Sequence, residues 1–165
     1  ALLRAAAAEA SAPHAVPVAV NADARSLGGA TLAEAAAAAL EATGCPPARL
    51  RIEIPEPLLA ETNTAPLLAL GLGIVADHYG SGAMSLRLLG AASLAAIKLD
   101  ASLVREIGAS RRRQALVRAI VAAAAARDIP VAACGIEVEA ERSALAALGV
   151  STGQGSLFAA VARAA

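Results

Sequence analysis

The chain has 165 residues, 14 basic and 14 acidic side chains and a net charge of zero. That balance offers no electrostatic basis for holding a nucleic acid polymer or an acidic membrane surface. Tyr79 and Phe158 are its aromatic residues apart from histidine, which excludes recognition of several stacked bases, and no apolar run approaches the roughly 20 residues of a bilayer span.

Hydrophobic content is 58%, much of it alanine, which favours helices without demanding deep burial. The expected elements follow in chain order. Leu2 to Ala10 is a helix with Arg4 inside it rather than a leader with a basic start, and Ser11-Ala12-Pro13-His14 is a loop with His14 solvated. Val16 to Asn21 is a strand. Thr31 to Ala42 is a helix, closed by Gly44-Cys45-Pro46-Pro47, in which Cys45 is a small buried residue. Leu50 to Ile54 is a strand, Leu58 to Leu72 a helical stretch broken near Pro66, and Gly73 to Asp77 a strand. Gly80-Ser81-Gly82 is a turn and Met84 to Leu89 a short helix. Ala96 to Asp100 is a strand, Gln114 to Arg127 a long helix, and Val131 to Cys134 a strand. Glu139 to Leu148 is a helix, followed by a short strand around Ser151 and a helix through Phe158.

Strands alternate with helices and two-residue hairpin turns are missing, so the sheet is parallel and the class is α/β. The expected architecture is a partial TIM-like (β/α) barrel of about six βα units whose first strands are missing. The chain is well short of the roughly 250 residues of a complete barrel, and it starts at Ala1, so a piece of a longer protein is expected. Cys45 and Cys134 lack metal or disulfide spacing, which fits reduced thiols and a cytoplasmic location.

Chemistry in such a fold gathers at the carboxyl ends of the strands. Six apolar runs here end in polar groups, among them Asn21, Glu53, Asp77, Lys98 with Asp100, Cys134 with Glu137, and Gln154. Period-two alternation puts the branched residues toward the helices and the polar groups toward the lumen. Asn21, Glu53 and Asp77 offer one amide oxygen and two carboxylates, donors that suit Mg²⁺, Mn²⁺ or Ca²⁺ better than zinc. Lys98 could neutralise a phosphate oxygen. Strand-end residues that are merely solvated are the plainer alternative for each taken singly. Gly80-Ser81-Gly82 follows a strand, so its amides could approach a phosphate or could form only a turn. Gly71-Leu72-Gly73 precedes a strand and fails the dinucleotide-binding condition. Arg111-Arg112-Arg113 opposes the dipole of the helix it begins and reads as a solvated surface.

From Val16 to Phe158 the chain resembles an EAL domain, the family that binds and hydrolyses cyclic di-GMP. The residues that carry the likeness are Val20-Asn21-Ala22-Asp23 for VNLS, Ile52-Glu53-Ile54-Pro55-Glu56 within LEITE, and Asp77-His78-Tyr79-Gly80-Ser81-Gly82 for DDFGTG. Lys98-Leu99-Asp100 stands for KID, Ala133-Cys134-Gly135-Ile136-Glu137 for AEGVE, and Gln154-Gly155-Ser156 for QGY. The resemblance implies metal ligands at Asn21, Glu53 and Asp77, with Mg²⁺ or Mn²⁺ as the cofactor. It implies that Lys98 holds water or phosphate, that Asp100 sits beside the metals, that Glu56 braces the loop after Asp77, and that Glu137 and Gln154 line the pocket.

Three departures set the expected activity. The Glu-Ala-Leu signature is absent from this chain, the second aspartate of DDFGTG is His78, and the first glutamate of AEGVE is Cys134. The resemblance associates the last two positions with a second metal and with water activation. Each lost positioned group of this kind costs about 10²–10³ in rate. The expectation is a catalytically impaired receptor or regulatory module for cyclic di-GMP. It would be joined to upstream signalling domains, with a homodimer among its assemblies. An active metal-dependent phosphodiesterase yielding linear pGpG and a ligand-free interaction domain are the alternatives. His78 and Cys134 could also recruit zinc, though drift in an unused site accounts for both.

Overall fold

The computed structural model describes residues 1–13, 16–27, 31–81, 85–91 and 93–158. The expectations for His14, Gly82 and Met84 fall outside them. The fold is α/β, and six strands follow one another in the sheet in chain order, the succession of a βα barrel. They are β1 (Val18–Asn21), β2 (Leu50–Pro55), β3 (Gly73–Tyr79), β4 (Ala96–Leu99), β5 (Val131–Cys134) and β6 (Thr152–Gln154). The pairs β1–β2, β4–β5 and β5–β6 are parallel. By contacts the chain divides into two compact units, Ala1–Ala76 with Ser93–Ala95, and Asp77–Ala92 with Ala96–Ala165.

In the first unit, α1 (Leu2–Ser11) and α3 (Thr31–Thr43) pack through alanines; Ala7, Ala10 and Ala36 are fully buried. Side chains that small let two helix backbones approach closely. Arg49 satisfies the end of α1, its guanidinium donating to the Ala10 and Ala12 carbonyls at 3.4 and 3.2 Å. Leu50, Ile52 and Ile54 of β2 are fully buried and Glu53 is nearly so. Burial on both faces is the rule for a parallel strand. The short helix α2 (Ala24–Leu27) follows β1. The stretch expected as one broken helix is two short ones, α4 (Glu56–Leu59) and α5 (Ala65–Ala69), each with proline near its start. Proline fits the first turn of a helix and not its interior, so each one begins a new element.

In the second unit, α6 (Ser85–Ala91), α7 (Ala101–Val104), α8 (Arg111–Ala125) and α9 (Glu139–Ala147) accompany the strands. Val117, Ile120 and Ala124 form the buried stripe of α8 at helical spacing. The core adds Tyr79, Ile97, Leu99, Val104, Ile107 and Leu145. Helix α8 starts three residues before the expected Gln114 because Ser110 caps it, accepting the Arg113 N–H at 3.3 Å. Residues 156–158 are a turn and not the expected helix. No helix among the described residues is long and apolar enough to cross a membrane.

Candidate functional site

In the first unit, Asn21 and Glu53 are register partners on the parallel strands β1 and β2, so their side chains share one face of the sheet. The Ala22 N–H donates to the Glu53 carbonyl at 2.8 Å, carrying the pairing past the end of β1. Glu53 is buried and Asn21 exposed, the latter at the edge of a mostly apolar cavity of about 500 Å³ with Arg4, Val20, Ser26 and Leu32. Glu56, the first residue of α4, is 1% exposed. Among the described residues no buried side-chain nitrogen or oxygen lacks a hydrogen-bond partner, so its carboxylate is satisfied there.

In the second unit, β3, β4 and β5 deliver Asp77, Lys98 and Cys134 to a cavity of about 590 Å³ that Gln154 and Phe158 also line. Glu137 lies outside that lining and is exposed. The Lys98 ammonium is 3.7 Å from Asp77 Oδ1, which also accepts the His78 N–H at 2.9 Å. Asp100 ends the strand run and caps α7, its Oδ1 accepting the Ser102 N–H at 2.8 Å. Its other oxygen faces His78 Nδ1 at 3.0 Å, and the far side of the same ring places Nε2 at 3.6 Å from Asp77 Oδ2. The imidazole thus stands between two carboxylates. Burial raises the Asp100 pKa, but the Ser102 and His78 hydrogen bonds outweigh it and hold the group below its ordinary value.

Cys134 is half-buried and its Sγ donates to the Leu99 carbonyl at 3.1 Å. Burial first, and the Asp77 carboxylate second, push its thiol pKa up. A protonated thiol bonded to a carbonyl is not a ready metal ligand. Among the described residues no group of three or more His, Cys, Asp or Glu side chains is arranged to hold a metal ion, and the zinc expectation gains no support from His78 and Cys134.

Among the described residues of this unit, the donors do not fit a divalent cation as they stand. Such an ion takes six or more oxygen ligands at about 2.0–2.6 Å. Each Asp100 oxygen already accepts a hydrogen bond, and Asp77 faces an N–H, an ammonium and an imidazole where a cation would approach.

Glu141 escaped the reading of the sequence. It is 6% exposed, and its two oxygens accept the backbone N–H groups of Glu106 (3.0 Å), Glu137 (2.9 Å) and Val138 (3.3 Å). It fixes the loop between β5 and α9, beside the pocket. Its position three residues after Val138, at N3 of α9, is the available signal, since a glutamate there reaches back to free N–H groups.

The EAL domain family matches residues 1–160. The cyclic di-GMP phosphodiesterase RocR of Pseudomonas aeruginosa is 33% identical over 150 residues, covering 87% of this chain; the chain spans 38% of RocR's length. The crystal structure of the EAL domain of Mycobacterium smegmatis DcpA superposes with a TM-score of 0.86 at 26% identity, over 96% of this chain and 76% of that one. A calcium and cyclic di-GMP complex of Klebsiella pneumoniae BlrP1 gives a TM-score of 0.82 at 28% identity, over 93% of this chain and 41% of that one. With this match over nearly its whole length, and with the parallel strand succession it requires, the chain belongs to the EAL domain family.

Proposed function

We propose that this domain binds cyclic di-GMP at the second-unit cavity and works as a receptor or regulatory module with little or no hydrolysis. The observation that carries the reading is the cluster at the cavity wall. Lys98 is held beside Asp77, while His78 and Cys134 occupy two positions where the family's motifs have acidic residues. A volume of about 590 Å³ lies within the usual range for small-molecule sites.

The half-buried Lys98 ammonium supplies a point charge for a phosphate oxygen. The exposed Gln154 amide offers a donor and an acceptor to a base edge. Neither Cys134, with its raised pKa, nor His78, tied to Asp100, is placed to serve as a carboxylate would in activating water. Calorimetry tests the binding and detection of linear pGpG tests turnover. Expected are binding of cyclic di-GMP and no product above background with Mg²⁺ or Mn²⁺. Lys98→Ala is expected to weaken binding about 10- to 100-fold, the worth of one hydrogen bond to a charged group. No measurable binding, with the protein folded, defeats the receptor reading.

A metal-dependent phosphodiesterase is the second reading. It is favoured by the Asn21–Glu53 register pair and by the likeness to RocR. Linear product formed with Mn²⁺ and abolished by Glu53→Ala would establish it in place of the first.

A further inference from the structure

We propose that the His78 side chain occupies the cation position between Asp77 and Asp100 and so keeps a divalent ion out of this unit. The inference takes its choice of ion from the EAL reading and its argument from the geometry. An ionised carboxylate only accepts, so the 3.0 Å approach to Asp100 Oδ2 assigns a proton to His78 Nδ1. That N–H sits on the Asp100 oxygen that Ser102 does not engage, on the side facing Asp77. The opposite edge of the ring places Nε2 3.6 Å from Asp77 Oδ2, beyond hydrogen-bond reach, so the ring stands in the gap between the two carboxylates. Lys98 and the His78 amide engage the remaining Asp77 oxygen.

Two features show that the arrangement is imposed locally. His78 has φ of +53°, in the left-handed region that few residues other than glycine, asparagine, aspartate and histidine adopt. In that turn the side chain comes back over the strand ends, and the Ser81 N–H closes it on the His78 carbonyl at 3.2 Å. The ring is nonetheless half exposed, with 52% of the side chain in contact with solvent. Replacing it removes no core packing, so the idea is open to a clean test.

Manganese is the probe, because free and bound Mn²⁺ are distinguished by electron paramagnetic resonance without any turnover. The unsubstituted domain is expected to bind Mn²⁺ only weakly. His78→Asp adds an oxygen donor and frees Asp100, and should bind Mn²⁺ roughly 10- to 100-fold more tightly. The double variant His78→Asp with Asp100→Asn should lose that gain. His78→Asn, which suits a left-handed residue and adds no charge, should give a smaller gain and decides the matter if the aspartate variant does not fold. Equal Mn²⁺ affinity before and after substitution in folded protein, or a gain that survives loss of Asp100, overturns the proposal. Cyclic di-GMP titrations in EDTA on the same samples report the receptor reading separately, so either result can fail alone.

Discussion

Glu141 and Gly80 show how much a single side chain, or the lack of one, holds in place near the pocket. Glu141→Ala would leave three part-buried backbone N–H groups without their shared acceptor. A loss of about 2–3 kcal/mol follows, read from urea unfolding. Glu141→Gln keeps one accepting oxygen and should recover part of that loss. Gly80 has φ of +91°, and a Cβ there would lie 2.5 Å from Leu103 Cδ1. Gly80→Ala therefore combines backbone strain with a clash, for a cost of about 1–3 kcal/mol in the same measurement. The Gly80 role and the Glu141 bond to Glu106 depend on a loop meeting an element far away in sequence, whereas the Glu137 and Val138 bonds are local. The His78–Asp100 pair is harder still to foresee. It joins residues 22 positions apart and requires the left-handed turn at the end of β3.

At the level of elements, strands were the legible part. Leu50-Arg51-Ile52-Glu53-Ile54 and Ile97-Lys98-Leu99 combine branched with charged side chains and form strands where the pattern puts them, while Asp100, expected to end its strand, caps α7. Helix limits were less legible for identifiable reasons. The run Arg111-Arg112-Arg113 opposes the helix dipole yet opens α8, because Ser110 caps it. Ser110→Ala should cost about 1 kcal/mol and fray the first turn of α8, seen as faster amide exchange at Arg113. The candidate site was legible as a list of residues and not as a set of contacts. Motif order named Asn21, Glu53, Asp77, Lys98 and Asp100, whereas only coordinates reveal that Asn21 lies directly across from Glu53 and that Asp100 is already engaged.

Across the whole molecule, acid is the condition most informative about what holds it together. Glu139 is drawn down to about 2 by its hydrogen bonds from Arg142 and Ser143. Burial raises the Glu141 pKa, but the Glu137, Glu106 and Val138 amides reverse the sign and leave it below its ordinary value of 4.5. A carboxylate with a lower pKa when folded than when unfolded stabilises the fold above its unfolded value. That contribution disappears as pH falls through the folded value. Thermal unfolding should be level from pH 7 to about pH 5 and then drop steadily toward pH 2, with a shallower drop in Glu141→Gln. The two thiols behave in the opposite sense, for burial raises the pKa of both Cys45 and Cys134. Because the thiolate is the reactive species, neither sulfur is equipped to meet alkylating agents or peroxide at neutral pH. Mass spectrometry after brief iodoacetamide treatment of the native domain should find both cysteines unlabelled, and denaturation should expose them together.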